Sequence, residues 1–512
     1  MPEVFGKDRI CGVVAAPTAA EMVGKIRGAL RRTHAIELRL DWLRDAAEIR
    51  KMLRWLAGKR ARFLRAGRAT LIATCRRRAA GGKFRGTIAA QVEIMREAAL
   101  HGCAWIDMEI ETAEKLRKRE IAALRSKARL LISYHDFRRT PANLRGVQNR
   151  LKRMGGDAIK IATMTDSYGD AIRVLEAART SRRVVAIPMG DVGAAVRILA
   201  LRGGSALAYA PAGAATAPGQ ISLDDLKNLY RADRLDRRTR VYGVIGNPVH
   251  HSLSPHLQNA GFQTRRMNAV YVPFLVRELR DFLASVELLG IAGFSVTIPH
   301  KEAILKYLDD CDPLAAAIGA VNTVVVRGGG KLFGYNTDYV GVLRALERRI
   351  ALAGSCVLIL GAGGAARAVA FALGRAGANV RICARRPVRA RALARAVGGE
   401  AIERKFLRSE FFDAIVNSTP VGMYPKVGVS PLEARELNCR LVFDLIYRPR
   451  RTKLVQLAER RSIETVSGLE MFVAQGTAQW EIWTGERAPV EAMRRAVVEA
   501  LGREEARGLQ PA

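Results

Sequence analysis

Short apolar segments recur about every 25 residues through the first 220 residues, and this regular spacing constrains the fold more than any other feature of the sequence. Stretches with helical spacing, such as Ile88–Leu100 and Tyr168–Arg179, lie between them. Strands that alternate with helices form parallel sheets, and eight such units predict a (β/α)8 barrel. An open, doubly wound sheet is the alternative, since this half is short for a barrel. The eight strand segments are Ile10–Ala16, Ala35–Leu40, Ala69–Cys75, Trp105–Ile110, Arg129–His135, Ala158–Met164, Arg183–Met189 and Ala206–Ala210.

The rest of the 512-residue chain also predicts α/β structure. A polar, charged stretch from Asp224 to Arg240 interrupts the apolar signal, which resumes at Val241-Tyr-Gly-Val-Ile-Gly and again at Ser355-Cys-Val-Leu-Ile-Leu. The predicted fold class is therefore α/β, with an N-terminal (β/α)8 barrel followed by a two-domain α/β region. We predict a barrel at 1–225, a linker at 226–240, an α/β domain at 241–340 completed by C-terminal helices at 468–501, and a Rossmann-like domain at 341–467.

The charge balance is unusual, because 84 Lys and Arg residues against 49 Asp and Glu give a formal net charge of +35. Such a charge can indicate nucleic acid, an anionic membrane, anionic small molecules or only a bias in composition. Nucleic-acid binding predicts clustered arginines with interleaved aromatic residues. Here the basic residues are dispersed from Arg9 to Arg507, and only 6% of the residues are aromatic. We therefore expect no nucleic-acid partner and assign most of the charge to composition.

Cysteine usage and hydropathy indicate the compartment. Seven cysteines, an odd number, are scattered without a CxxC pair, which argues against a disulfide framework or a structural zinc site. No apolar run reaches the roughly 18 residues of a membrane span. The N-terminal segment lacks the apolar core of a signal peptide. We expect a cytoplasmic protein with no metal and no membrane association.

Two residues of the first half have types and positions suited to catalysis. Lys160 lies within the strand segment Ala158–Met164, where a charge is costly unless its side chain points into the barrel mouth. Burial in general favours a neutral lysine amine, which is the nucleophile of Schiff-base chemistry. A strand-end lysine that reaches solvent is an equal alternative. His135 closes its strand at the end where barrels carry catalytic groups, although a lone histidine is more often structural.

Charged residues also occur inside three other strand segments of this half. Glu37 and Arg39 share one strand face, Asp107 and Glu109 share another, and Arg76 ends a third strand. Charges within apolar strands cost free energy unless they pair or bind a substrate. Their position at the same predicted end of the strands favours a functional site.

Seven segments across about residues 8–222 occur in a characteristic order: Glu37-Leu-Arg39-Leu-Asp41, Thr74-Cys-Arg76 followed by Gly81-Gly82, Asp107-Met-Glu109, Ser133-Tyr-His135-Asp-Phe137, Lys160-Ile-Ala-Thr-Met164, Met189-Gly190 with Arg197, and Thr216-Ala-Pro-Gly-Gln220. Together they resemble type I 3-dehydroquinate dehydratases. The resemblance implies that Lys160 forms an imine with the substrate ketone and that His135 is the general acid/base. It also implies a set of substrate contacts: Glu37, Arg39, Arg76, Arg197, Thr216 and Gln220.

Two positions depart from that family's pattern. The family usually has an acidic residue before the Gly-Gly pair, and this chain has Ala80. The family serine of Ser-Ala-Pro-Gly-Gln is Thr216, which keeps the hydroxyl. Loss of the acid leaves two expectations open: Asp107 or Glu109 takes over its role, or the barrel is a weakened catalyst.

A strand, a glycine-rich turn and a helix start follow at Val357-Leu-Ile-Leu-Gly361-Ala-Gly363-Gly364. In this context the turn predicts a dinucleotide pyrophosphate site at the helix N-terminus. The next strand ends with Arg385, Arg386 and Arg389, and lacks the Asp or Glu that would hold a ribose 2′-hydroxyl. Because arginines pair with a 2′-phosphate, we predict NADP(H) rather than NAD(H). Arginines on a solvated turn are the alternative.

Six further segments match a second family in order: Gly246-Asn-Pro-Val-His-His-Ser252-Leu-Ser254-Pro255, Ser295-Val-Thr297-Ile-Pro-His-Lys301, Gly319-Ala-Val-Asn322-Thr323, Asn336-Thr-Asp338, Asp444-Leu-Ile-Tyr447 and Gly468-Leu-Glu-Met-Phe-Val-Ala-Gln475. Singly, Ser254 and Asp338 are plausible helix caps and Lys301 a surface residue. Together the segments closely resemble shikimate dehydrogenase over about residues 241–500.

This second resemblance implies a two-domain dehydrogenase with a Rossmann-like NADP-binding domain. It implies that Lys301 and Asp338 are the proton-transfer pair beside the hydride transfer. The implied shikimate contacts are Ser252, Ser254, Thr297, Asn322, Tyr447 and Gln475. The implied coenzyme contacts are Gly361, Ala362, Gly363, Gly364, Ala365, Arg385, Arg386, Arg389, Leu445 and Gly468.

The two resemblances imply consecutive reactions on small molecules. The first half would dehydrate 3-dehydroquinate to 3-dehydroshikimate, and the second would reduce that product to shikimate with NADPH, as in aromatic amino-acid biosynthesis. A catabolic quinate/shikimate dehydrogenase that uses NAD, with a dehydratase half, is one alternative, and the arginines disfavour it. A nucleic-acid-binding or regulatory protein on a decayed enzyme fold is the other. The sequence leaves open a homodimer and the arrangement of the halves.

Overall fold

The computed structural model describes residues 4–58, 61, 69–213, 219–424 and 426–506. These residues form two compact units. The first comprises the residues up to Arg240 together with Asn268–Gly290, and the second comprises Val241–Met267 together with the residues from Ile291 onward. Both units contain strands and helices in alternation, which confirms the α/β fold class. The domain boundaries given above stay predictions.

Among the described residues, eight parallel strands form the N-terminal barrel. Hydrogen-bonded neighbours run in order from β7 to β1, and β1 also pairs with β8, so the barrel is nearly closed. The (β/α)8 prediction is confirmed, the open-sheet alternative is wrong, and every strand begins within two residues of its predicted start. The strands β1–β8 are Ile10–Val14, Ala35–Arg39, Thr70–Thr74, Trp105–Glu109, Arg129–Asp136, Ala158–Met164, Val184–Met189 and Ala208–Pro211.

The helices around the barrel begin at polar caps. Thr18, Asp45 and Ser167 each accept a backbone N–H of the first turn through their side-chain oxygens. Two helices have the bounds predicted from the sequence, Ile88–Leu100 and Tyr168–Arg179. The helices α1–α8 are Ala19–Leu30, Ala46–Ala57, Ile88–Leu100, Ile110–Ala113, Lys118–Arg125, Leu144–Arg153, Tyr168–Arg179 and Asp191–Ile198.

The barrel interior changes from apolar to polar along the strands. Near one end, Trp105, Leu131 and Ala158 fill the interior, and Trp105 stacks on Phe5 with ring centroids 4.3 Å apart. Side chains two residues further along a strand lie on the same face. This period places a second interior layer at the carboxyl ends of the same strands, and its members are Asp107, Ser133 and Lys160.

The first unit also contains β10 (Ala269–Leu275) and α10 (Leu279–Leu289). Tyr168 at the start of α7 donates a hydrogen bond from its hydroxyl to the Leu275 carbonyl at 3.0 Å. The ring of Tyr168 meets that of Phe282 edge to face, at 5.4 Å between centroids. The Asp281 carboxylate accepts the Tyr168 backbone N–H at 2.9 Å. A segment distant in the sequence thus covers the start of α7.

In the second unit, a mixed sheet carries strands in the order β9-β11-β13-β14-β12. Strand β11 runs parallel to β9 and antiparallel to β13. The strands are β9 (Arg240–Gly246), β11 (Ile291–Val296), β12 (Asp310–Cys311), β13 (Thr323–Val326) and β14 (Leu332–Tyr335). The helices of this region are α9 (Ser254–Thr264), α11 (Pro313–Ile318) and α12 (Asp338–Leu346).

A fully parallel sheet forms the region from Cys356 to Ser467, in the strand order β17-β16-β15-β18-β19-β20. This is the Rossmann order 3-2-1-4-5-6, in which a ligand binds at the carboxyl ends of the first strands. Its strands are β15 (Cys356–Leu360), β16 (Asn379–Cys383), β17 (Glu400–Ala401), β18 (Phe412–Asn417), β19 (Cys439–Asp444) and β20 (Glu464–Ser467). Its helices are α13 (Gly364–Arg375), α14 (Pro387–Ala396) and α15 (Lys453–Glu459).

Two long helices end the described chain, α16 (Gly468–Thr484) and α17 (Val490–Ala506). Helix α16 packs on the mixed sheet, where the Trp483 indole N–H donates to the Val324 carbonyl at 3.0 Å. Trp480 of the same helix lies beside Phe262 of α9, with centroids 6.0 Å apart. Helix α16 therefore contributes to the core around the mixed sheet. None of the helices described is long and apolar enough to cross a membrane.

Candidate active sites

Lys160 lies within the barrel, with its side chain only 3% exposed. Its Nζ donates a short hydrogen bond to Asp107 Oδ2 and lies 3.6 Å from Glu37 Oε1. The ring of Tyr209 is 4.6 Å from Nζ. The alternative of a strand-end lysine that reaches solvent is therefore wrong, and the amine belongs to the polar interior layer.

Asp107 links Lys160 to a second cation, because Arg76 NH2 lies 3.3 Å from the same Oδ2. Burial would raise the pKa of Asp107, but Lys160 and Arg76 outweigh burial and hold that pKa below its usual value. Asp107 is therefore ionised at neutral pH. The sequence pointed to Asp107 as a charged strand residue, but the predicted site did not include it.

His135 lies at the mouth of the same barrel, where its ring stacks on Phe137 with centroids 6.1 Å apart. Its Nδ1 atom is buried and has no hydrogen-bond partner among the described residues. Burial, reinforced by the positive charges of Arg76, Lys160 and Arg39, holds the pKa of His135 well below its usual value. The imidazole is therefore neutral at pH 7 and able to accept a proton.

The turn at Gly81 lies against Phe137, the residue that stacks on His135. Gly81 has φ +77, and a Cβ there would lie 2.1 Å from the Phe137 ring, so the position requires glycine. A Cβ on Gly82 would lie 2.0 Å from the Arg76 carbonyl oxygen. Ala80 supplies no carboxylate to this turn.

Three other predicted dehydratase contacts, Glu37, Arg39 and Arg197, are buried in the barrel half. Arg39 forms a bidentate pair with Asp41 at 2.9 and 2.8 Å, and Thr74 donates to Glu37 at 2.8 Å. Burial lowers the pKa of Arg197 to about 10, so Arg197 stays protonated at neutral pH. Gln220 follows the described loop residue Gly219, and Thr216 lies outside the described residues.

The second candidate site centres on an ion pair in the other unit. Lys301 Nζ donates to Asp338 Oδ2 at 2.6 Å, and Asn322 Nδ2 donates to the other carboxylate oxygen at 2.8 Å. The Lys301 side chain is 20% exposed and that of Asp338 is 7% exposed. An accessible ammonium beside a held carboxylate can give a proton to, and take one from, a bound hydroxyl.

A hydrogen-bond network fixes Asn322 under this pair. The Asn322 amide oxygen accepts the Thr337 backbone N–H at 2.8 Å and the Thr323 hydroxyl at 2.7 Å. Gln479 of α16 donates to the Asn322 carbonyl at 3.0 Å and accepts from Ser295 at 2.8 Å. Gln479 was not predicted from the sequence, although its position within a buried helix was a signal that its amide needs polar partners.

The two expected helix caps are wrong. Helix α9 begins at Ser254 itself, after Leu253, and Ser254 donates its backbone N–H to Ser252 Oγ at 3.2 Å. Helix α12 likewise begins at Asp338, after Thr337. The Asp338 carboxylate is therefore free of a capping role and pairs with Lys301.

The remaining predicted shikimate contacts come from three chain segments. Thr297 follows β11, and a Cβ on Gly246 would lie 2.5 Å from its methyl group, so the ends of β9 and β11 meet there. The Tyr447 ring lies 4.5 Å from that of Phe472, and burial raises the pKa of Tyr447 to about 12. Gln475 donates to the Phe472 carbonyl at 2.9 Å.

The glycine-rich turn after β15 is shaped to hold a phosphate. Gly361 has φ +112, and its N–H donates to the Cys383 carbonyl at 2.8 Å. A Cβ on Gly363 would meet nothing within 4 Å, so the turn is open, and Gly364 begins the 12-residue helix α13. Its free amides and dipole favour an anion. A Cβ on Gly364 would lie 3.8 Å from the Lys301 side chain, which places the turn beside the ion pair.

Exposed arginines stand at the end of the neighbouring strand β16. Arg385, Arg386 and Arg389 are exposed, and none of them pairs with a carboxylate within the described part of the chain. A Cβ on Gly468 would lie 2.3 Å from the Leu445 carbonyl oxygen, so these two predicted coenzyme positions are in contact. Open glycines, a helix N-terminus and unpaired arginines fit a phosphorylated dinucleotide. Within the described ranges, no three His, Cys, Asp or Glu side chains are grouped so that they could hold a metal ion.

Three family models match the chain. A model described as type I 3-dehydroquinase matches residues 10–237. Models described as the shikimate dehydrogenase substrate binding domain and the shikimate 5′-dehydrogenase C-terminal domain match residues 244–324 and 468–498. The three matches lie in the same chain order as the two resemblances.

Similar proteins cover one half or both. The chloroplastic bifunctional 3-dehydroquinate dehydratase/shikimate dehydrogenase of Arabidopsis thaliana is 35% identical over 94% of this chain and 83% of its own length. The NADP(+) shikimate dehydrogenase of Methanothermobacter thermautotrophicus is 43% identical over 52% of this chain and 99% of its own. A crystal structure of shikimate dehydrogenase in complex with NADP+ covers 52% of this chain and 97% of its own, with a TM-score of 0.50 and 39% identity.

Proposed function

The chain belongs to the family of bifunctional 3-dehydroquinate dehydratase/shikimate dehydrogenases, and we propose which of its residues carry the two reactions. It is a lyase and an NADP-dependent oxidoreductase. Its first half dehydrates 3-dehydroquinate to 3-dehydroshikimate, and its second half reduces that product to shikimate. The observation that carries this conclusion is the 35% identity that runs through both halves.

In the dehydratase half, Lys160 is the Schiff-base residue and His135 the general acid/base. The Lys160 amine attacks the substrate ketone, and the resulting imine draws electrons from the neighbouring carbon. His135, neutral at pH 7, takes the proton from that carbon and returns a proton to the departing hydroxyl, which leaves as water. The buried amine and the neutral imidazole support these roles.

The cations at the barrel mouth bind the substrate carboxylate, and the polar groups bind its hydroxyls. Arg76 and Arg197 are buried, so a carboxylate meets them with little competition from water. The complete proposed contact set is Glu37, Arg39, Arg76, Arg197, Thr216 and Gln220.

In the reductase half, Lys301 and Asp338 transfer the proton that accompanies reduction. Bound NADPH supplies the hydride. The Lys301 ammonium hydrogen-bonds the ketone oxygen and gives it a proton as the charge develops there, and Asp338 orients the ammonium. Asn322 holds Asp338 in place. The proposed shikimate contacts are Ser252, Ser254, Thr297, Asn322, Tyr447 and Gln475.

The coenzyme is NADP(H), and we propose the residues that contact it. The turn Gly361-Ala362-Gly363-Gly364-Ala365 would hold the pyrophosphate, and Leu445 and Gly468 would lie at the nicotinamide end. Arg385, Arg386 and Arg389 would hold the 2′-phosphate, since they lack carboxylate partners in the described structure. We propose that neither half needs a metal.

The test supplies 3-dehydroquinate and NADPH to the full chain and follows the loss of NADPH absorbance. Lys160→Ala stops consumption of NADPH from 3-dehydroquinate but leaves turnover of 3-dehydroshikimate unchanged, whereas Lys301→Ala reduces both. Borohydride traps substrate on the unaltered chain and not on Lys160→Ala. A Lys160→Ala chain that consumes NADPH from 3-dehydroquinate at the unaltered rate contradicts the Schiff-base assignment. A dehydratase rate far below the reductase rate would favour the weakened barrel.

The competing function is a second half that is specific for quinate and dependent on NAD. Turnover of shikimate and of quinate, each measured with NADP and with NAD, distinguishes this function from an NADP-dependent shikimate dehydrogenase. A preference for quinate and NAD contradicts our assignment. We also propose a cytoplasmic location, which the seven free cysteines support, and a homodimer is possible. We propose domain boundaries at residues 225, 240, 340 and 467.

A further inference from the structure

Lys160 is paired with the Asp107 carboxylate, which has no role in the dehydration steps proposed above. Asp107 Oδ2 accepts the short hydrogen bond from Lys160 Nζ, and the Asp107 side chain is 1% exposed. Moving two charges out of water costs free energy. The attraction within a buried ion pair offsets that cost only when the two charged groups are in close, well-aligned contact. The contact of Asp107 with the atom that reacts therefore calls for a chemical reason.

The charge balance of imine formation supplies that reason. A lysine ammonium and a ketone give a protonated imine and one water molecule: the carbon–oxygen bond breaks, a carbon–nitrogen double bond forms, and two ammonium protons leave with the oxygen. The nitrogen carries one positive charge before and after. A carboxylate that neutralises the ammonium is therefore equally placed to neutralise the protonated imine. Only the protonated imine is a strong electron sink for loss of the adjacent proton.

We propose that Asp107 is a catalytic residue of the dehydratase half, the counter-ion that keeps the Lys160 imine protonated. The proposal rests on the assigned role of Lys160. Asp107 itself remains ionised, since Lys160 and Arg76 overcome the effect of burial on its pKa. The imine thus forms beside a fixed negative charge rather than beside mobile water.

The other groups that face Lys160 are less suited to this task. Glu37 lies 3.6 Å from Nζ and accepts a hydrogen bond from Thr74. Tyr209 presents the face of its ring to Nζ. The remaining titratable groups around Lys160 and Asp107 lie on three strands and just after a fourth. They are Cys11 on β1, Arg39 on β2, His135 on β5 and Arg76, which follows β3.

The test compares Asp107→Asn with Glu109→Gln. Glu109 lies on the same strand face and is equally buried, but its carboxylate accepts from Gln91 and from the Arg77 backbone. We expect borohydride to trap substrate on Asp107→Asn as on the unaltered chain, because the amine is intact. In the pH profile of kcat for dehydration, the alkaline limb of Asp107→Asn should lie about 1–3 pH units lower than that of the unaltered chain. At pH 8 this corresponds to a loss of kcat of about tenfold or more. Glu109→Gln should leave that limb unmoved.

Each result decides a separate point. An unchanged alkaline limb in Asp107→Asn, an equal shift in Glu109→Gln, or loss of trapping in folded Asp107→Asn overturns the counter-ion role. Trapping on Lys160→Ala overturns the Schiff-base assignment itself, which is the failure of the proposed function.

A measurement on the unaltered chain covers the case in which Asp107→Asn does not fold. Lysine labelled with ¹⁵N at the ε-nitrogen reports the protonation state of the imine when 3-dehydroquinate is added without NADPH. The imine nitrogen should remain protonated from about pH 6 to about pH 9, as a counter-ion raises its pKa. A neutral imine at pH 8 overturns the proposal.

Discussion

Asp444, at the end of β19 before Tyr447, makes the stability of the second unit depend on pH. Burial raises the pKa of Asp444 to about 6, although Thr452, the Ile446 N–H and Asn417 all donate to its carboxylate and oppose the shift. The folded state therefore prefers the protonated acid. Stability is greatest below the unfolded pKa of 3.8, falls as pH rises from 3.8 to about 6, and stays constant above that.

Asp444→Asn removes this penalty while it preserves the hydrogen bonds. The amide oxygen can accept from Asn417 and Ile446, and the Thr452 hydroxyl can rotate to accept from the amide nitrogen. A shift of about 2 pKa units corresponds to about 3 kcal/mol. About 2 kcal/mol of that is expressed between pH 4.5 and 7.5. The variant should gain this much stability relative to the unaltered chain across that range.

The assay is urea unfolding of both chains at several pH values, read by limited proteolysis and peptide mapping, which follow the second unit separately. Val442→Ala is the control, because it lies on the same strand and is fully buried but adds and removes no titrating group. The difference in the free energy of unfolding between Val442→Ala and the unaltered chain should not change with pH. If the free energies of unfolding of Asp444→Asn and the unaltered chain differ by a constant amount from pH 4.5 to 7.5, the raised pKa of Asp444 in the folded state is refuted.

Three further predictions concern the two reactions. Asp338→Asn should lower kcat for shikimate about a hundredfold or more with little change in KM, because it removes the charge that orients the ammonium; a loss below threefold in steady-state assays contradicts this role. Arg385→Ser with Arg389→Ser should raise KM for NADPH by about 10–100-fold and leave KM for NADH nearly unchanged, since each charge-assisted bond to a phosphate contributes about 1.5–3 kcal/mol; equal effects on the two coenzymes contradict phosphate binding. Ala80→Glu should place a negative charge near His135, the proposed general acid/base, and raise the pKa of His135. The acidic limb of the pH profile of kcat/KM for dehydration should then move to higher pH, and an unmoved limb shows that the carboxylate does not reach His135.

The strands and the interior layer were predictable because they follow from local patterns. Apolar segments of strand length located the eight barrel strands, and the two-residue period placed Asp107 on an interior face. The partner of Asp107 was not predictable. Lys160 lies two strands away on β6, and Glu37 reaches the same amine from β2, which only closure of the barrel brings near.

The helix caps failed for a related reason. Ser254 and Asp338 are residue types that favour capping, so the local pattern favoured that interpretation. In the structure each helix begins one residue earlier, and Asp338 bonds Lys301 and Asn322, which come from other segments. Local propensity thus gives way where tertiary partners for a carboxylate are available, and such positions are more often functional than structural.

The two sites contain the same pair of residue types, a lysine and an aspartate, but they differ in burial. Both place a lysine ammonium against an aspartate, but the side chains of the barrel pair are 3% and 1% exposed, whereas those of Lys301 and Asp338 are 20% and 7% exposed. A covalent imine needs a positive charge that stays on one nitrogen, and a dry site with a fixed carboxylate keeps it there. Proton transfer to a hydroxyl needs a proton that is replaced after every turnover, and an ammonium in contact with solvent can be recharged. We therefore infer that exposure, rather than residue identity, suits the barrel pair to the proposed covalent catalysis and the Lys301–Asp338 pair to the proposed proton transfer.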